Sequence, residues 1–169
     1  MYDEALEKSK EALVIFEHLE SVQGKIECLN NLGLIYQKRE NFSEALKNYE
    51  EGFEIAKNYN DLKNQANFLK NISSLYLDQK LFKKAIKHFE DSEKLFTQVG
   101  DLEGKVECLN NIGLILREQG KNSKALVFFD DALTILNKIG EAESKYAIEI
   151  KQSIDDIRKS QIKPKQIVK

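Results

Sequence analysis

Two histidines, two cysteines and a set of evenly spaced asparagines are the side chains of this 169-residue chain whose types could support chemistry or recognition. Zinc and nucleophilic sites need clustered ligands or a base beside a nucleophile. His18 and His88 have no repeated ligand partner, so both are expected at the surface. The segment Gly100-Asp-Leu-Glu-Gly104-Lys105 resembles a phosphate loop only in outline. It is one residue short of the six-letter frame, no Ser or Thr follows Lys105, and no strand precedes it. The carboxylates Asp130-Asp131 and Asp155-Asp156 are sequence neighbours, which on a helix point to different faces. The expectation is no catalytic centre, no metal and no cofactor. Asn31, Asn71 and Asn111 are different, because they recur every 40 residues. An asparagine amide is both donor and acceptor. A ladder of such amides could pair with both polar groups of an extended backbone. The alternative is that each amide satisfies a nearby helix or turn carbonyl, and both readings stay open.

The elements that would carry these residues follow the same ruler. Residues 26–34, IECLNNLGL, return as VECLNNIGL at 106–114, with a diverged middle copy, ANFLKNISS, at 66–74. Ala5-Leu6, Ala45-Leu46, Ala85-Ile86 and Ala125-Leu126 keep the spacing, as do Tyr49, Phe89 and Phe129. So do the small residues Ala12, Gly52, Ser92 and Ala132 and the junctions Asn60-Asp61, Gly100-Asp101 and Gly140-Glu141. Within each unit the apolar residues recur at helical spacing, as in Leu29, Leu32, Ile35, Tyr36 and in Ala45, Leu46, Tyr49, Phe53. Asn41 followed by Glu44 is a helix start, and Gly100 and Gly140 fall where helices end. Each unit therefore splits into two helices, in the first unit about 24–39 and 43–59. Only one proline, Pro164, and 8 glycines interrupt a chain rich in helix formers.

The reading is an all-α, antiparallel helix-pair solenoid of about eight helices. A second helix spans 2–20, three pairs cover 22–60, 62–100 and 102–140, and a capping helix covers 142–160. Together they form a single array over 1–161, with a flexible tail at 162–169. The capping helix carries Tyr146, Ile150, Ile154 and Ile157 toward the array and Glu149, Gln152, Ser153 and Asp156 away from it. The first helix, 2–20, has no partner before it, and its small residues Ala5, Ser9 and Ala12 leave a shallow furrow. A monomer and a dimer through this helix both stay open, the monomer being the simpler expectation.

The 26 basic and 28 acidic residues give no clustered positive charge for nucleic acid. The N-terminus MYDEALEKSK has no apolar signal core and no apolar run approaches a membrane span, so a cytoplasmic, membrane-free protein is expected.

The letters Leu32, Gly33, Tyr36, Ala45, Tyr49 and Gly52 resemble the tetratricopeptide repeat. The third unit carries it as Ile112, Gly113, Leu116, Ala125, Phe129 and Ala132, and the second as Ile72, Ser73, Tyr76, Ala85, Phe89 and Ser92. The usual unit has about 34 residues; the longer one here is similar to that of Pins/LGN-type polarity adaptors and of microbial signalling arrays. The resemblance implies a right-handed superhelix whose concave face, lined by the first helix of each pair, binds a peptide segment of a partner and has no catalytic role. It also implies that asparagine at the repeated position holds the peptide backbone. The face would present Glu27, Asn30, Asn31, Leu34, Gln37 and Lys38 from the first unit. The second adds Asn67, Lys70, Asn71, Ser74, Leu77 and Asp78, and the third Glu107, Asn110, Asn111, Leu114, Arg117 and Glu118. The dicarboxylate clamp of chaperone-binding members needs Lys and Arg where Asn30, Leu34, Glu107 and Asn111 stand, so capture of a C-terminal carboxylate is not expected. A segment of about 8–12 extended residues fits such a groove, with apolar side chains at Leu34, Leu77 and Leu114 and a basic one near Glu27 or Glu107. Cys28 and Cys108, two units apart, would lie about 20 Å from each other and are expected as buried thiols, since a disulfide needs Cα atoms within about 7 Å. The functional expectation is a protein-interaction scaffold. The alternative is a sensory or regulatory array that answers to a small peptide or controls a linked signalling domain.

Overall fold

The computed structural model describes residues 2–162. Among them are eight helices and no strand: α1 (Tyr2–His18), α2 (Val22–Lys38), α3 (Phe42–Asn58), α4 (Leu62–Asp78), α5 (Phe82–Val99), α6 (Leu102–Glu118), α7 (Asn122–Lys138) and α8 (Lys145–Ile162). The all-α helix-pair architecture read from the sequence is present, with each of α1 to α5 packed against the next and, separately, each of α6 to α8 packed against the next. The capping helix begins at Lys145 rather than 142, because residues 141–144 form a turn whose Ser144 hydroxyl accepts from the Ala147 amide at 3.2 Å. The tail expected from 162 lies, from residue 163 and including Pro164, outside the described residues.

The turns explain the even helix lengths. Glu20, Glu40, Asn60, Lys80, Gly100, Gly120 and Gly140 all have positive φ, one every 20 residues. At each, the residue's amide donates three positions back and the next amide donates five back, as in Glu40 to Gln37 and Asn41 to Tyr36, both 2.9 Å. This closes the helix end with a left-handed residue and a pair of crossed hydrogen bonds. The residue after the left-handed one then opens the next helix. Ser21, Asn41 and Asp61 do so with side chains that accept from Gly24, Glu44 and Asn64 amides. Leu81 and Lys121 stand at the same place without a side-chain cap.

The helices gather into two compact units, one ending at Asp101 and the other starting at Leu102. The core of the first joins Ile26, Ala45, Tyr49, Ala56, Phe68, Ile72 and Leu75. Its helices approach closely because glycines leave room for rings. A Cβ at Gly33 would stand 2.2 Å from the Tyr49 ring, and one at Gly52 the same distance from Phe68. Helix α1 contributes no buried residue. Val14 and Ile15 are exposed there, as is Leu19 just beyond it, and Ala5 is open where Ala45 and Ala85 are fully enclosed. In the second unit Val106, Ile112, Phe129, Ala147, Ile150, Ile154 and Ile157 are buried. Its last helix leaves Glu149, Gln152 and Asp156 in solvent and Ser153 half-buried.

Candidate peptide-binding clefts

In each unit the first helices of successive positions stand side by side, and a cleft runs between them. The cleft of the first unit, about 300 Å³, lies between α2 and α4. It brings together Glu27, Asn30, Leu34, Asn67, Lys70 and Asn71 from the sequence-derived set, and adds Ile26, Asn64 and Phe68. Ile26 and Phe68 form a buried apolar floor. Above it the polar groups are mostly amides. Asn71 Nδ2 donates to Asn30 Oδ1 at 2.6 Å, tying α4 to α2. Asn64 is held in the first turn of α4 by Asp61, its side-chain amide donating at 2.7 Å. The Lys70 ammonium lies 5.7 Å from the centre of the Phe96 ring. At the other end of the same helices Gln37 donates to Asp78 at 2.6 Å and accepts from the Tyr49 hydroxyl at 2.9 Å, so both polar atoms of that amide are engaged.

The cleft of the second unit is larger, about 540 Å³, and lies between α6 and the start of α8. From the sequence-derived set it holds Glu107, Asn110 and Asn111. Glu103, Val106, Leu136, Ile139, Glu141, Ser144 and Tyr146 complete it. Asn110 is only 9% exposed and makes a hydrogen bond with the Tyr146 hydroxyl. Burial pushes the Tyr146 phenol up to about 12, against the Asn110 hydrogen bond, with the Glu107 and Glu149 carboxylates adding to the rise. Tyr146 is therefore a neutral phenol throughout the physiological range.

The repeated asparagines occupy three different settings. Asn31 is exposed on α2 and lines neither cleft. Asn71 bridges to Asn30, and Asn111 Nδ2 donates to the Glu107 backbone carbonyl one turn earlier at 2.8 Å. Ser74, Leu77, Leu114 and Arg117 are half-buried and lie outside both clefts. Sequence reasoning missed Glu103, Glu141 and Ser144 and placed Tyr146 only in the core stripe. These residues become neighbours because the chain turns at Gly140, a proximity that helical periodicity does not encode.

Both cysteines are free and buried, as expected, and burial with the nearby Glu27 charge raises the Cys28 thiol. His18 is exposed, whereas His88 is half-buried, its Nδ1 3.0 Å from the Lys84 carbonyl and its ring 5.2 Å from that of Tyr76. Among the described residues no group of three or more His, Cys, Asp or Glu side chains could hold a metal ion, and no helix is long and apolar enough to cross a membrane.

The family model described as tetratricopeptide repeat matches residues 1–58 and 64–138. The chain belongs to the tetratricopeptide-repeat family. Members of this family typically serve as protein-interaction scaffolds. No curated protein matches the sequence. Among solved structures the chain is similar to BtubC from P. vanneervenii, with a TM-score of 0.83 and 17% identity over 96% of this chain and 67% of that one. It is similar to the apo form of RapI, TM-score 0.72 and 19% identity, over 92% of this chain and 62% of that one. A Rap protein complexed with competence and sporulation factor gives a TM-score of 0.77 and 17% identity, with 86% of this chain and 40% of that one covered. The chain thus spans less than two thirds of either Rap protein. At identities this low, the TM-scores establish a shared fold alone.

Proposed function

We propose that the chain is a non-catalytic protein-interaction module that holds peptide segments of a partner in the clefts between its first helices. The observation that carries this reading is the same in both units: a cleft with an apolar floor and asparagine amides above it. Amides serve a peptide backbone whatever its side chains, and an apolar floor supplies the burial that affinity needs. The near balance of 26 basic and 28 acidic residues favours a protein partner over nucleic acid or a membrane surface, consistent with a cytoplasmic role. One neighbour supports a second reading, a regulatory array that answers to a small peptide: the Rap protein solved with competence and sporulation factor.

Capture of partners from the native lysate tests the proposal, with wild type beside Asn67→Ala/Asn71→Ala/Asn111→Ala, all cleft positions, and circular dichroism on both. A partner held by the wild type and released by the folded variant is the expected result. Retention of every partner by the folded variant would remove the asparagines from the function. A captured species small enough to be a free peptide would favour the regulatory reading.

A further inference from the structure

The two clefts differ in charge. Glu27 and Lys70 balance each other around the first. Around the second, Glu103 and Glu141 place exposed carboxylates beside Glu107, which is already engaged, and the residues lining it include no cation. These carboxylates come from separate places: Glu103 and Glu107 stand one turn apart on α6, and Glu141 lies in the turn that follows α7. Between them the cleft is apolar. Val106 and Leu136 are buried in its floor, Ile139 is half-buried beside them, and the Tyr146 ring lines it with its hydroxyl held by the buried Asn110.

A guest matched to this cleft has an apolar stem, a flat face for an aromatic wall, and a delocalised positive end. Lysine supplies the first and a compact, strongly hydrated charge. Arginine supplies all three: its guanidinium stacks on aromatic rings, pairs with carboxylates through several N–H groups, and sheds water more readily than an ammonium. A free carboxylate or phosphate would meet the like charges of Glu103 and Glu141. We propose that the cleft between α6 and α8 is a socket for an arginine side chain of the bound segment. The proposal rests on the peptide-binding reading above and names what one position of that peptide must be.

The probe is N-acetyl-arginine methylamide, titrated into the intact chain while the Tyr146 ring and the Ile139 and Val106 methyl resonances are followed by NMR. Citrulline and norleucine analogues keep the stem and remove the charge. Saturable shifts at these three residues are expected for arginine, at least about tenfold weaker for citrulline, the loss of one charge-assisted pair. The shifts should weaken further at high salt, and Leu34 in the first cleft should not follow them. The Glu103→Gln/Glu141→Gln variant, altered only at exposed positions, should lose the arginine preference while keeping the fold. Equal shifts for arginine and citrulline, unsaturable shifts, or an arginine preference unchanged in the variant would overturn the socket. A lysine analogue binding as tightly as arginine would overturn the guanidinium assignment. The two claims fail separately: arginine binding with partners untouched by the asparagine substitutions sinks the peptide-groove reading, and partner loss without arginine selectivity sinks the socket.

Discussion

The clefts of the two units begin from nearly the same letters. Ile26, Glu27 and Asn30 on α2 correspond to Val106, Glu107 and Asn110 on α6. Yet one cleft is small, amide-lined and charge-balanced, and the other is wider and acidic. The difference comes from the opposing helix. Helix α4 sends Asn67, Lys70 and Asn71 across, and Asn71 bonds Asn30. Helix α8 instead sends Tyr146 to Asn110, and its late start brings Glu141 and Ser144 to the rim. A duplicated stretch therefore fixes one wall of a cleft, while the diverged neighbour decides its size and charge.

The packing beneath the clefts sharpens the comparison most. An alanine at Gly33 would place its Cβ 2.2 Å from the Tyr49 ring, and one at Gly113 would place it 2.7 Å from Phe129. Both rings are fully buried and cannot swing away. Gly33→Ala should cost about 1–3 kcal/mol, the range for overpacking, and Gly113→Ala less, by urea unfolding followed with circular dichroism. Equal costs would mean that the two helix pairs tolerate separation alike.

A second difference is legible at alkaline pH. The folded Tyr146 ionises near 12, above the ordinary value of 10. Its folded form holds the proton more tightly, so this contribution is fully present below pH 10 and disappears as pH rises through 12. Burial raises the Tyr49 hydroxyl in the first unit as well. Tyr146→Phe should flatten the fall in unfolding free energy between pH 10 and 12, leaving a remainder to which Tyr49 and Tyr76, both raised by burial, contribute. An unchanged profile would deny Tyr146 its buried setting.

The turns give the smallest effect. Glu20, Glu40, Asn60 and Lys80 hold left-handed backbone that Gly100, Gly120 and Gly140 adopt freely. Lys80→Gly should stabilise by roughly 0.5–1 kcal/mol, the left-handed penalty of a side chain reduced by glycine's greater freedom when unfolded. Gly120→Lys should lose a similar amount, and a loss on the Lys80 change would break the equivalence of the turns.

Helix number, pairing and the buried Ala, Phe and Tyr positions were legible in the sequence, because a 40-residue period and a 3.6-residue period overlap in the same letters. The side chains that line the clefts were legible only in part. Asn30, Asn67, Asn71 and Glu107 follow from asking which face of one helix is free. Tyr146 and Glu141 do not, since their place depends on where α8 starts, and Ser144 gives only a weak cap signal for that. The equivalence of Asn31, Asn71 and Asn111 was visible as spacing. Their differing partners were not, because an amide's choice between a backbone carbonyl and a neighbouring side chain is settled by what stands opposite.

The left-handed turns carry a consequence for how such a chain can change. One residue closes a helix and the next opens another, so a turn has no slack. Deleting a single residue there would rotate the following helix by about 100° and carry its whole apolar stripe out of phase. Among the described residues the junction that departs from this pattern is the stretch between Lys138 and Lys145, where a further turn precedes the next helix. That junction borders the larger cleft, so a residue gained or lost there is expected to reshape the rim formed by Glu141, Ser144 and Tyr146 while α6 and α7 keep their packing.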